Sequence, residues 1–163
     1  MRARSGQTRS DPPDPYVYAL GALSRRELTT RQMRERLLRR GCAPADVDAA
    51  LDRLQREGAL DDQRAARAFS RTEVHVKRRG PERIRRALEA MGIDRDAARQ
   101  ALDEGFADQS VDDVLQAALQ RKLRGPIVDE KHAQRLVGYL VRQGFDVSAA
   151  AAAVRARRRA QDA

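Results

Sequence analysis

The sequence predicts an all-α protein made of three tandem three-helix repeats. Three observations lead there. One pattern occurs three times: Met33-x-x-x-Leu37-x-x-x-Gly41-Cys42, Ile84-x-x-x-Leu88-x-x-x-Gly92-Ile93 and Leu136-x-x-x-Leu140-x-x-x-Gly144-Phe145. Its glycines recur after 51 and 52 residues, and the register continues past each. Six positions on lie Val47, Ala98 and Ala150; nine on lie Ala50, Ala101 and Ala153; ten on lie Leu51, Leu102 and Val154. Agreement at that many positions in three copies marks an internal repeat. The third observation is that apolar residues follow helical spacing throughout, with no sustained strand alternation.

Within each copy, apolar residues four apart share one helix face. The glycine a turn later suits the left-handed residue that ends a helix, because it has no Cβ to clash. A second helix starts at Pro44-Ala45, Asp94-Arg95 or Asp146-Val147. Pro44 fits a first turn, and the aspartates can cap exposed amides. The stretch before each hairpin accommodates one further helix.

In chain order, residues 1–15 form a basic N-terminal arm with Arg2, Arg4 and Arg9, disordered by composition. Repeat 1 spans 16–60. Its helices run from Tyr16 to about Arg25, from a Thr29/Gln32 capping box to Arg40, and from Ala45 to about Glu57. Repeat 2 spans 61–107. Its first helix is expected over Asp62–Arg79, burying Ala65, Ala68 or Phe69, and Val76; the others run from Gly80-Pro81 to Met91 and over Arg95–Glu104, with Gly105 opening a link. Repeat 3 spans 108–158. A helix over Ser110–Lys122 should bury Val111, Val114, Leu115, Ala118 and Leu119, and the next spans Glu130–Gln143 behind Asp129. The last begins near Val147 and fades into a basic end at Arg155–Arg159, leaving 159–163 as a tail.

Composition narrows the function classes. Lys+Arg number 33 against 24 Asp+Glu, a net charge of +9, and such a chain seeks nucleic acid or an acidic protein surface. No apolar run approaches a membrane span and no signal peptide is visible, so no membrane partner and a cytoplasmic location are expected. A single cysteine rules out an internal disulfide framework. Cys42 stands where the sister repeats hold Ile93 and Phe145, which makes it a small buried residue.

Catalytic chemistry finds little support. Asp61-Asp62 sit at a turn before a helix, where aspartates cap amides, and no second acidic cluster joins them. His75 and His132 fall in different repeats without a Cys or His at metal spacing. Phosphate-loop and dinucleotide fingerprints are absent. The expectation is a non-enzyme without cofactor or metal.

The basic faces remain. Lys77, Arg78 and Arg79 end one helix; Arg83, Arg85 and Arg86 flank the Ile84/Leu88 stripe; Arg36 and Arg40, with Arg34 and Arg39, flank Met33/Leu37; Lys122 and Arg124 follow the first helix of repeat 3. Arginine's planar fork fits carboxylate and phosphate. Arg36, Arg40, Lys77, Arg78, Arg79, Arg83, Arg85, Arg86, Lys122 and Arg124 are the candidate partner- or DNA-binding residues.

Several stretches resemble the RecX family, bacterial regulators of the RecA recombinase. They are Leu51-x-x-Leu54-x-x-x-Gly58-Ala59-Leu60-Asp61-Asp62, Arg79-Gly80-Pro81-x-Arg83-Ile84-x-x-x-Leu88-x-x-x-Gly92-Ile93, and Tyr139-Leu140-x-x-x-Gly144-Phe145. The resemblance covers about Tyr16 to Arg158. Ala65-Ala66 departs from the family's usual Phe-Ala, and Gln32-Met33 from its Glu-Leu. The resemblance implies an elongated, curved array of three-helix units that binds in the groove of the RecA–DNA filament and inhibits RecA, with roles in recombination, repair and the SOS response. It implies the RecA filament as partner, with weak DNA binding that has no sequence preference, for a monomer. A stand-alone helix–turn–helix DNA-binding protein is the alternative, against which stands the absence of any one distinctive recognition helix.

Overall fold

The computed structural model describes residues 12–162. Among them the chain forms nine α-helices and no strand: α1 (Pro15–Leu23), α2 (Thr30–Arg39), α3 (Pro44–Arg56), α4 (Asp62–His75), α5 (Pro81–Ala90), α6 (Arg95–Gly105), α7 (Val111–Lys122), α8 (Glu130–Gln143) and α9 (Val147–Asp162). They fall into two compact units, residues 1–61 with α1–α3 and residues 62–163 with α4–α9. Most of the expected basic arm, with Arg2, Arg4 and Arg9, lies outside the described residues. Its last two positions belong to the first helix instead: Asp14 caps α1 by accepting from the Tyr16 and Val17 amides, and Pro15 opens it.

In the first unit, Thr29 and Gln32 form the expected capping box, each side chain at 3.2 Å from the other's amide. Pro44 opens α3. Met33, Leu37, Val47, Leu51 and Leu54 meet in the core with Ala19 and Leu28. A polar staple joins α1 to the end of α3. The Tyr16 hydroxyl donates to Glu57 Oε2 at 2.6 Å, and Arg53 lies 3.8 Å over the Tyr16 ring while donating to Glu57 Oε1 at 2.8 Å.

The repeat has one local cause. After α2, α5 and α8, Gly41, Gly92 and Gly144 take φ of +84°, +85° and +99°. Each turn closes with the same two bonds: the residue after the glycine donates back to Leu37, Leu88 or Leu140 at 3.2, 3.1 and 3.2 Å, and the glycine to Leu38, Glu89 or Val141 at 3.0 Å in every case. This closure satisfies carbonyls that a helix end leaves open, and it folds Cys42, Ile93 and Phe145 back into the core.

The second unit joins two three-helix sets through one core, which includes Val74, Ile84, Leu88, Leu115, Leu119, Leu140 and Phe145. At their junction the start of α5 abuts the end of α8. The Gly80 amide donates to the Gln143 carbonyl at 2.9 Å and the Glu82 amide to the Gly144 carbonyl at 3.2 Å. A Cβ on Gly80 would fall 2.4 Å from the Gly144 oxygen.

Five expectations need correction. α4 stops at His75 rather than Arg79, because Arg78 turns left-handed (φ 54°) and the Arg79 amide closes on the Glu73 carbonyl at 3.0 Å. Val76 therefore lies 66% exposed and Val74 takes the core position, with Ala66 and Ser70 along the same buried face and Ala68 outside it. Val111, first residue of α7, is exposed at that open end. Gly105 ends α6 rather than starting a link, and is packed so that a Cβ would meet Ser70 Cβ at 3.1 Å. α9 runs on to Asp162 instead of fading at Arg155–Arg159. No helix among the described residues is long and apolar enough to cross a membrane.

Candidate functional site

The ten cations singled out by sequence meet different fates. Glu73 on α4 is 1% exposed, and its carboxylate accepts Lys77 Nζ at 2.6 Å and the Arg79 guanidinium. A buried carboxylate is costly unless paired, so Lys77 and Arg79 act first as its counter-ions, closing the corner between α4 and α5. Arg78 donates to Gln109 Oε1 at 2.9 Å. Arg83 donates to the Arg142 carbonyl at 3.0 Å, beside the glycine junction. Arg85 forks between Glu82 and Glu89, both at 2.8 Å. The hydrogen bond from Arg85 holds the Glu82 carboxyl below the usual carboxylate range.

The other five face outward. Arg86 is exposed and makes no hydrogen bond or ion pair with the described residues; Arg124 behaves likewise. Arg40 stacks on Tyr18 at 4.9 Å, Arg36 is half-buried beside it, and Lys122 lies 5.3 Å from the Tyr139 ring.

Two grooves gather cations without any carboxylate in their lining. In the first unit, Arg25, Arg26, Arg36 and Arg40 surround Tyr18, Val17 and Gly21 between α1 and α2. In the second unit, Lys122 at the end of α7 faces Lys131, Arg135, Tyr139 and Arg142 of α8, with His132 beside them. The repeat relates these faces. Arg36 and Tyr139 stand one position before Leu37 and Leu140, and Arg39 and Arg142 two positions after them. Of these lining residues Arg36, Arg40 and Lys122 are among the candidates named from sequence; Arg25, Arg26, Lys131, Arg135 and Arg142 are not. The latter three were legible as one line along α8, since steps of four and seven share a helix face.

Neither candidate for chemistry assembles a centre. Asp61 and Asp62 stand at the start of α4 with partners of their own. His75 ends α4 while His132 lies in the first turn of α8. Among the described residues no group of three His, Cys, Asp or Glu side chains is arranged to hold a metal.

Comparison with known proteins agrees with this architecture. Residues 16–54 match the family model of the first three-helix domain of RecX, and residues 61–102 that of its second three-helix domain. The chain is 39% identical over 141 residues to the regulatory protein RecX of Halorhodospira halophila, covering 83% of this chain and 84% of that protein. It is 37% identical over 135 residues to the regulatory protein RecX of Acidithiobacillus ferrooxidans, covering 81% and 83%. The fold resembles the crystal structure of RecX from Lactobacillus salivarius, with a TM-score of 0.68 at 18% identity over 87% of this chain and 93% of that one. Relatives this similar over most of both lengths, together with two matched domains, establish that the chain belongs to the RecX family of regulatory proteins.

Proposed function

We propose that this chain regulates the RecA recombinase in the cytoplasm. It binds as a monomer in the groove of the RecA–DNA filament and inhibits RecA, and so acts in recombination, repair and the SOS response. It does so by surface contact and without turnover. Family membership across most of the chain is the observation that carries this reading. The two carboxylate-free basic grooves support it, because a filament of protein and DNA offers anionic surface along its length. Outward cations on separate three-helix units add their binding through effective concentration. Contact with DNA on this reading is weak, salt-sensitive and indifferent to sequence.

The test is ATP hydrolysis by RecA on single-stranded DNA with increasing amounts of the chain. Hydrolysis should fall as the chain approaches stoichiometry with the filament. Unchanged hydrolysis at excess, or tight binding to one short duplex sequence instead, would overturn the proposal.

A further inference from the structure

We infer that the α7–α8 groove is a seat for the phosphate backbone of a single nucleic-acid strand, held by Lys131, Arg135 and Arg142 with Lys122 at its edge. This deepens the proposed function, from which it takes only that DNA is a partner.

Lys131, Arg135, Gly138 and Arg142 follow steps of four, three and four, so they form one line along α8. That line spans roughly 16 Å of helix axis, at about 1.5 Å per residue. None of the three cationic side chains makes an ion pair or hydrogen bond with the described residues. Several helical arginines elsewhere are paired internally, as in Arg31–Glu35, Arg53–Glu57 and Arg85–Glu89. Here Lys131 and Arg135 sit four apart instead, an arrangement that destabilises a helix. An external polyanion relieves that repulsion.

Gly138 is the second observation. It lies inside α8, and its φ is not left-handed. A Cβ there would meet only Arg142 Nη1, at 3.3 Å, so no backbone packing calls for glycine. Glycine within a helix costs about 1 kcal/mol relative to alanine. What the bare position allows is for the Arg142 guanidinium to lie back across the helix toward the groove. Tyr139 is the third. Its ring draws Lys122 in from α7 and sets a flat aromatic surface beside the cations, as strand-binding grooves do. An acidic peptide fits less well. Apart from Tyr139, the only large apolar side chain in the lining is Leu136, which is 3% exposed, so a peptide side chain finds no anchor pocket.

The test uses the full chain without RecA, a fluorescent oligothymidylate and a salt series. Replacing Lys131, Arg135 and Arg142 together by alanine should weaken binding about tenfold or more at low salt, and flatten the slope of log affinity against log salt by about 2. The Arg142 carbonyl that receives Arg83 is kept, and circular dichroism reports the fold. Replacing Arg71, Arg95 and Arg157, exposed cations on α4, α6 and α9, should leave that slope unchanged. Gly138→Ala should weaken binding while raising the melting temperature. An unchanged slope in the groove variant, an equal loss in the control, or displacement of the oligonucleotide by oligoglutamate of equal charge would each overturn the inference. With RecA absent, the result is independent of whether the chain regulates RecA.

Discussion

Gly80 and Gly144 meet backbone to backbone across the junction of two three-helix sets. The Gly80 amide donates to the carbonyl just before Gly144, and a methyl group on Gly144 would lie 2.4 Å from the Arg83 nitrogen. Gly41 ends α2 in the same left-handed turn, with nothing within 4 Å of its missing Cβ. The pair separates backbone conformation from packing. Gly41→Ala should cost about 1–2 kcal/mol, the left-handed penalty alone. Gly144→Ala should cost more, by about 1–3 kcal/mol, as the junction is forced apart. Urea unfolding of the two variants measures the difference.

Glu73 makes a similar separation among the cations. Arg79→Ala takes the less exposed of its two counter-ions from the buried Glu73 carboxylate and should cost about 3–5 kcal/mol. Lys77→Ala removes a half-exposed arm and should cost under about 1 kcal/mol. Thermal melts of both variants check this. A loss of DNA or RecA binding in an Arg79 variant has to be read against its melting temperature.

The Tyr16–Glu57 staple sets a pH dependence for the first unit. The Tyr16 hydroxyl, and after it Arg53, hold the Glu57 carboxyl below its ordinary value near 4.5. A lowered carboxylate value means stabilisation present above pH 4.5 and lost as the pH falls through the folded value. Acceptance by Glu57 pushes Tyr16 above its ordinary 10.0, so that contribution is complete below pH 10.0 and lost at higher pH. Glu57→Ala should flatten acid destabilisation of the unit and bring tyrosine ionisation back toward 10.0, read by ultraviolet titration.

Arg85 and Arg86 are neighbours with opposite commitments. Arg85 is spent on Glu82 and Glu89, whereas Arg86 exerts only a longer-range pull on Glu82. On the proposed function, Arg86→Glu should weaken RecA inhibition more than Arg85→Ala does, with the helical signal kept in both. Leu88→Ala, at a fully buried position, should instead cost about 2–5 kcal/mol of stability in a denaturant melt.

The helices were legible because their ends carry local chemistry. Asp94, Ser110 and Asp129 cap where a capping residue belongs, and the three turn glycines fall where one helical apolar stripe ends. The end of α4 was not legible. In Val74-His75-Val76 either valine satisfies a helical period, and the choice is made by Arg78 turning left-handed and by Glu73 drawing Lys77 and Arg79 inward. The same limit governed the cations. Sequence displays a charge but not its partner, so Arg83 and Arg85 read as free when their bonds lie across the fold or one turn away. The row on α8 is hard to see in sequence because Lys131, Arg135 and Arg142 interleave with the apolar stripe of Ala133, Leu136 and Leu140.

The apolar interiors of the two units are distinct clusters, one around Leu37 and one shared by α4–α9. Melting should therefore proceed in two steps of unequal size, with the shallower denaturant dependence in the smaller, N-terminal step. A protease acting during the first step would release an intact C-terminal fragment that still carries the α8 row of cations.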